Sequence, residues 1–338
     1  MVNVSLASQR ARSFLAPSCA LYPFDVASFS GPWWESLASR FPVLARRGDW
    51  ALVENRLAKG LIRLRELRPA GWNSASDWSQ TLSDAHLDDF LALKADMPWD
   101  VARLKWTPAH RNAKALARLR ADGFDWIETP GKTLYNVDLS GGFEHYLRQL
   151  NAKARYNLKS KVKKAETLAP ELVMFDPQRD FDAFFEQFIC HHQRYWTAKT
   201  GNSYLSNPHE QAFLRQWALA LRQRGQLRLW GLKMAGETAN LSMAIDCGHH
   251  LYWPLVINTG LFPEYFPGIV ALYYYLAASA DEGFQTFHMG SGDYFYKNQL
   301  ATLREAQRQL WIANPRSPLG SSILLGLKAR EALGRRKR

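Results

Sequence analysis

Three consecutive stretches, QLRLWGLKM (226–234), TANLSMAIDCG (238–248) and HHLYWPLVIN (249–258), constrain the fold more than any other part of the chain. They carry the clearest strand patterns, and the links between them, AGE and Gly248 with its neighbours, are short and polar. Short polar links of this kind close antiparallel hairpins, so a three-stranded meander is expected. Upstream, DFDAFFEQFICHHQRYW and NPHEQAFLRQWALALRQRG read as two helices, the second with Pro208 in its first turn. Downstream, GLFPEYFPG is a loop, IVALYYYLAASADEG a helix, and FQTFHMG a strand that runs into the glycine-rich turn SGDYFYK. The order is helix, helix, three antiparallel strands, helix, strand.

The first half reads as mixed α and β. Trp33, Trp34, Leu37 and Phe41 recur at helical spacing after Gly31 and Pro32, which predicts a short amphipathic helix. GDWALVENRLAKGLIRLRELRP alternates around Leu61, Ile62 and Leu64 and is assigned to strand, although its Arg and Leu content also suits helix. Spacing over 84–93 and 109–121 is helical, and FDWIETPGKTLYNVDL predicts two short strands around a turn at Pro130 and Gly131. The stretch 143–165 predicts one strongly basic helix opened by Gly141 and Gly142, with a domain boundary just before it. The expected organisation is a mixed α/β domain over 1–142, a second domain over 143–315, and a basic amphipathic tail over 316–338.

Composition narrows the class. A chain of 338 residues suggests two domains, and 47% hydrophobic with 22% charged residues is a globular balance. Cys19, Cys190 and Cys247 are odd in number and form no C-x-x-C pair, so neither a disulfide framework nor a zinc site is expected. No H-E-x-x-H spacing occurs either, and no metal is assigned. No apolar run reaches the roughly 20 residues that cross a bilayer, and MVNVSLASQRARSF lacks the apolar core of a secretory signal, so the expected location is the cytoplasm. A net charge of +12 favours an anionic partner: nucleic acid, a phosphorylated substrate, a nucleotide or an acidic lipid surface.

The pattern Leu150-x4-Arg155-x-Asn157-Leu158, then a basic helix, then Tyr265-x-Pro267-Gly268, then His288-x-Gly290-x-Gly292-Asp293-x-x-Tyr296-Lys297, resembles the acetyltransferase domain of cellulose- and exopolysaccharide-biosynthesis loci. It is also similar to FemAB-type transferases, which carry two GNAT-like domains. The resemblance covers 143–300, and reaches the first half only through scattered features such as GPWW and the NVDL strand. It implies an α/β (α+β) GNAT-like fold, in tandem, with mainly antiparallel sheets flanked by helices. It also implies an N-acyltransferase that takes an acyl group, acetyl in the first instance, from acyl-CoA to an amino group of a sugar or exopolysaccharide precursor. One departure stands out: the usual Q/R-x-x-G-x-G/A donor loop is replaced by 263–268, which has one glycine and no arginine.

Candidate residues follow from this frame. A helix starting at Pro267-Gly268 offers backbone N–H groups and a positive dipole end to a phosphate, which assigns Pro267, Gly268 and Ile269 to the donor. Acyl transfer to an amine needs a proton acceptor and charge stabilisation, and the turn at Gly290–Gly292 presents Asp293 as base and Lys297 as the cation for a phosphate. His192, beside His191 on a helix, is a further candidate base because imidazole titrates near neutrality, against a packing role common for helical histidines. Arg155, with a guanidinium able to grip phosphate or carboxylate, is assigned as a substrate contact, with Tyr265 and Tyr296, the latter read first as a structural aromatic. The basic segment that ends the chain suggests peripheral contact with an anionic membrane, against the reading of a frayed tail.

Two other functions fit the same sequence. One is an aminoacyl-tRNA-dependent ligase of the FemAB type, with the basic helix supplying charge for tRNA, although no long heptad segment is evident. The other is a non-catalytic module that binds nucleic acid or a signalling nucleotide, and its nucleic-acid form rests on charge alone.

Overall fold

The structure is a computed structural model that describes residues 27–48, 50–69, 87–88, 90–92, 98–106 and 113–336. In chain order its elements are α1 (Ala27–Ser36), β1 (Val43–Arg47), β2 (Trp50–Leu57), β3 (Ile62–Pro69), β4 (Val101–Trp106), α2 (Ala113–Ala121) and β5 (Asp125–Asp138). There follow α3 (Phe143–Gln149), α4 (Ala152–Ala165), β6 (Glu171–Phe175), α5 (Phe181–Thr200), α6 (Pro208–Gln223), β7 (Leu227–Met234), β8 (Glu237–Cys247) and β9 (His250–Asn258). The chain ends with α7 (Pro267–Asp281), β10 (Thr286–Ser291), α8 (Phe295–Leu300), β11 (Leu303–Ala313) and α9 (Pro318–Arg336).

The contacts divide the described residues into two units, 134–304 and 27–133 with 305–336. In the first, strand order is β5-β10-β9-β8-β7-β6, with the last residues of β5 contributing. The expected meander is present: β7 to β8 and β8 to β9 are antiparallel. β10 then pairs parallel to β9. β8 is buried almost end to end, because helices cover both of its faces. On one face, α3, α4 and α7 pack Tyr146, Leu158, Val270 and Tyr275 against Trp230, Trp253 and Phe287. On the other, α5 packs on β9 and α6 on β7. α5 buries Phe181, Phe184, Phe185 and Phe188, an i, i+3, i+4, i+7 stripe in which each ring contributes about 2 kcal/mol by leaving water.

The second unit repeats this strand order. β1, β2 and β3 form an antiparallel meander, and β4 pairs parallel to β3. β11 supplies the antiparallel neighbour of β4, as β5 does for β10. The mixed, mainly antiparallel sheet with flanking helices therefore occurs in both units, in line with the GNAT-like architecture.

Several elements differ from the sequence reading. β5 is one strand where two around a turn were expected. Pro130 and Gly131 stay extended, and Gly131 is small for another reason: a Cβ there would lie 2.8 Å from the Gln307 carbonyl oxygen. The division between the units consequently falls at Leu134, inside this strand, rather than before Phe143. The single basic helix is broken into α3 and α4 at Leu150, where Asn151 caps α4 by accepting the Ala154 N–H at 2.8 Å. α1 contains Pro32 rather than starting after it, and buries Phe29 and Trp33. The segment after 315 packs within its unit: Leu324 is 2% exposed, and Gly320 sits so close to the Asp100 carbonyl that a Cβ would meet it at 2.1 Å. Cys19, residues 1–14, and the outer parts of the helices expected over 84–93 and 109–121 lie outside the described residues. Among the described residues no helix is long and apolar enough to cross a membrane.

Candidate active site

β9 and β10 pair only through His250–Tyr252 and Thr286–His288, at their N-terminal ends. Beyond Tyr252, β9 carries a bulge opposite Ala244 and continues to Asn258 without ladder bonds to β10. Backbone N–H and C=O groups on that edge are left for something other than a strand, since such groups seldom stay unpaired. The bulge also swaps faces, so that Val256 and Asn258 follow Leu251 and Trp253 onto the side covered by α7.

α7 begins at this end of β9. Phe266, in the left-handed region at φ 55°, turns the chain into Pro267. The N–H groups of Ile269 and Val270 both return to the Phe266 carbonyl, at 2.9 and 3.1 Å, and proline has none. Gly268 is thus the residue of the first turn whose N–H has no partner within the helix, where the sequence reading expected Gly268 and Ile269 together. Gly268 also packs on a fixed polar chain: Tyr275 donates to Asn240 Oδ1 at 2.8 Å, and Asn240 Nδ2 donates to Asn258 Oδ1 at 2.8 Å. A Cβ on Gly268 would lie 3.0 Å from that Asn258 oxygen.

β10 ends in the turn that leads to Asp293. Gly292 has φ 101° and a Cβ there would meet the Tyr294 ring at 2.8 Å, so both conformation and space require glycine. The Tyr135 hydroxyl, from β5, lies 3.0 Å from Asp293 Oδ1 and 3.1 Å from Asn298 Oδ1, and Asn298 Nδ2 donates to Asp293 Oδ1. Bonds from Asn298 and then Tyr135 hold the Asp293 carboxyl below the usual carboxylate range, and Arg304 adds to the effect. Burial and the Asp293 carboxylate raise the Tyr135 hydroxyl in turn. Asp293 is therefore an exposed carboxylate, suited to accept a hydrogen bond from an ammonium group or to pass a proton to water.

Beside it, Lys297 is 6% exposed and donates to the Ser291 carbonyl, with Tyr294 beneath its ammonium at 5.4 Å. The Ser291 hydroxyl is also buried, with the residue 6% exposed, and has no hydrogen-bond partner among the described residues. A buried orphan hydroxyl costs about 1–3 kcal/mol unless something else satisfies it, and it lies at the end of β10 where the pairing with β9 has ceased.

The remaining candidates have mixed placements. Tyr296 packs against the core of its unit, and burial pushes its hydroxyl up. Tyr265 packs against the same core and lies 5.0 Å under the Lys164 ammonium, which donates to the Glu264 carbonyl at 3.0 Å. Arg155 is turned inward: its Nη1 donates to the carbonyls of Leu147, Arg148 and Leu150 at 3.3–3.4 Å, closing the end of α3. His192 is 4% exposed, with Nδ1 2.9 Å from Ser203 Oγ and Tyr204 edge-on at 4.9 Å, and burial lowers its pKa to about 4. Its neighbour His191 instead bonds the Thr259 backbone at the end of β9. Asp293, Lys297 and Tyr296 thus share one segment, while Arg155 and His192 hold internal partners.

Tyr135, Ser291 and Asn298 were not anticipated. Neither was a polar chain across three strands: His288 bonds Asn136 Oδ1 at 3.0 Å and His250 Nδ1 at 3.1 Å, and stacks on Tyr252 at 4.1 Å. Asn298 lies on the segment that carries Asp293 and Lys297, so it was within reach of sequence reasoning.

The strand order, with its meander and the parallel strand splayed from it, is that of a GNAT-like fold. Residues 152–298 match the family model described as Acetyltransferase (GNAT) domain, a span that contains each candidate residue from Arg155 to Lys297. No curated protein matches the sequence. Among solved structures, the chain is similar to FemX, with TM-score 0.50 and 12% identity over 79% of this chain and 86% of that one. It is similar in the same degree to the C-terminal domain of a protein named as a lysylphosphatidylglycerol synthetase, from Agrobacterium fabrum, with TM-score 0.50 and 13% identity over 84% and 86% of the two chains. At these identities the likeness is one of fold.

Proposed function

We propose that the protein is an N-acyltransferase that moves an acyl group, acetyl in the simplest case, from acyl-CoA to an amino group of a sugar or exopolysaccharide precursor. The observation that carries this reading is the unpaired edge of β9 beyond Tyr252, bordered by the start of α7 on one side and by Ser291–Asp293 on the other. An extended amide-bearing donor fits such an edge by taking ladder-like bonds, with its phosphate at the Gly268 N–H. The match of 152–298 to a GNAT domain supports the same donor class.

Within this reading Asp293 receives the ammonium of the acceptor by hydrogen bond. Its carboxyl, held below the usual carboxylate range, relays that proton to water as the amine attacks the thioester carbonyl, and the C–S bond of the tetrahedral species then breaks to release the CoA thiolate, which takes a proton from water. The ammonium of Lys297, set in a buried position, offsets negative charge that develops on the carbonyl oxygen or is carried by a phosphorylated acceptor. Tyr135 and Asn298 position Asp293.

A second reading, with an aminoacyl-tRNA donor, is favoured by α4. Lys153, Lys159 and Lys163 are exposed there beside Tyr156, which is 72% exposed, and the helix contains no acidic residue. Release of free thiol from acetyl-CoA, dependent on an amino-sugar acceptor, tests the proposal. The wild type should turn over, and Asp293→Asn should lose most activity while melting normally. Equal turnover by Asp293→Asn would remove Asp293 from the mechanism. Turnover that appears only with charged tRNA and is abolished by RNase would replace the first reading by the second.

A further inference from the structure

The β2–β3 hairpin ends in a tip whose two faces have opposite character. β2 and β3 pair in register out to Leu57 opposite Ile62, with Arg56 opposite Arg63 one step in. Side chains alternate across a strand pair, so Leu57 and Ile62 share one face and the two arginines the other. The turn adds Lys59, in the left-handed region at φ 58°, and Leu61. All of these are exposed: Leu61 by 87%, Ile62 by 40% and Leu57 by 39%. Apolar residues cluster here without cover, on a turn where polar residues are the rule.

The arginine pair is the second observation. Like charges directly opposite one another in an antiparallel pair repel, and neither Arg56 nor Arg63 has an ion-pair partner among the described residues. No acidic residue lies between Glu54 and Glu66, and Glu66 is turned into its unit, where it binds Arg68 and Arg103. Lys59 likewise has no ion-pair partner among the described residues, so within them the tip carries three unneutralised cations around three exposed aliphatic side chains.

From this we infer that the hairpin tip docks on an anionic bilayer surface. Cations at the headgroup level and aliphatic side chains just below it are the pairing that an interfacial segment needs. A second protein is a poorer occupant, since one convex hairpin end offers far less than the ~800 Å² per partner of a stable interface. At the end of the chain α9 exposes Leu325 but buries Leu324, and its Lys328 is paired with Asp125, so its cation is not free in the way the tip arginines are. The inference is independent of the proposed acyl transfer, because it concerns another unit and its readout is lipid binding.

Flotation of the full chain with phosphatidylcholine vesicles, with and without phosphatidylglycerol, tests it. The wild type should float with the anionic vesicles and much less with the neutral ones. Leu61→Asp should weaken partition about tenfold or more, as expected for removing one inserted aliphatic side chain and adding an anion. Arg56→Gln with Arg63→Gln should cost about fivefold for each charge removed and abolish most of the preference for phosphatidylglycerol. These side chains are exposed, so melting curves should match the wild type. Failure of the wild type to float with anionic vesicles would overturn the inference, as would wild-type flotation by both variants. So would a lipid-free dimer that Leu61→Asp dissociates, because the tip would then be a contact between copies.

Discussion

Acidification from neutral pH should weaken the fold through His192 by an amount that the structure allows to be worked out. The imidazole is 4% exposed, bonds Ser203 Oγ at 2.9 Å and has its pKa lowered to about 4 by burial. In the unfolded chain it titrates near 6.5. Between these values the unfolded state binds a proton that the folded state refuses, so stability rises with pH. The contribution is fully present above about 6.5 and is lost as the pH falls toward about 4. At about 1.4 kcal/mol per pH unit, the loss by pH ~4.5 is about 2–3 kcal/mol. Urea unfolding at neutral pH and at pH ~4.5, for the wild type and for His192→Gln, isolates this one group, since other titrations are common to both proteins. The variant should lose about 2–3 kcal/mol less than the wild type over the same interval. Equal losses would mean that His192 is not held neutral by burial, and the argument for it as a packed, Ser203-bonded residue would fail.

Other perturbations read the fold directly. Gly320→Ala should destabilise by about 1–3 kcal/mol in denaturant titration, because its Cβ would enter the Asp100 carbonyl that also accepts from Asn314 N–H at 2.9 Å. A neutral effect would show that α9 is not fixed there. Arg155→Ala should cost about 1 kcal/mol through the three carbonyls at the end of α3, with donor affinity unchanged. A large rise in acceptor KM at unchanged stability would identify Arg155 as a substrate contact.

Much of the first unit was legible because its signals are local. The β7–β9 meander shows as strand patterns joined by short polar links, and α6 announces itself by Pro208 after Asn207, whose side chain accepts the His209 N–H at 2.9 Å. The turn at Gly290–Gly292 pointed to Asp293 because glycine there marks positive φ and close packing. What failed had a non-local cause. Gly131 looked like a turn residue, yet its smallness answers to Gln307, a partner on a distant strand. The break between α3 and α4 lacks Gly or Pro, and the cap at Asn151 was its one local mark. Tyr135 and Asp293 are 158 residues apart, so their bond belongs to the sheet order and not to any motif.

The central claim is that an acyl donor lies along β9 with its phosphate at the start of α7, and calorimetric titration with acetyl-CoA tests it most directly. The account predicts binding to the wild type that Gly268→Trp abolishes, since any side chain there lies against Asn258 and across the one N–H of the first turn without a helical partner. Absence of binding to the folded wild type, or equal binding by a folded Gly268→Trp, would contradict it.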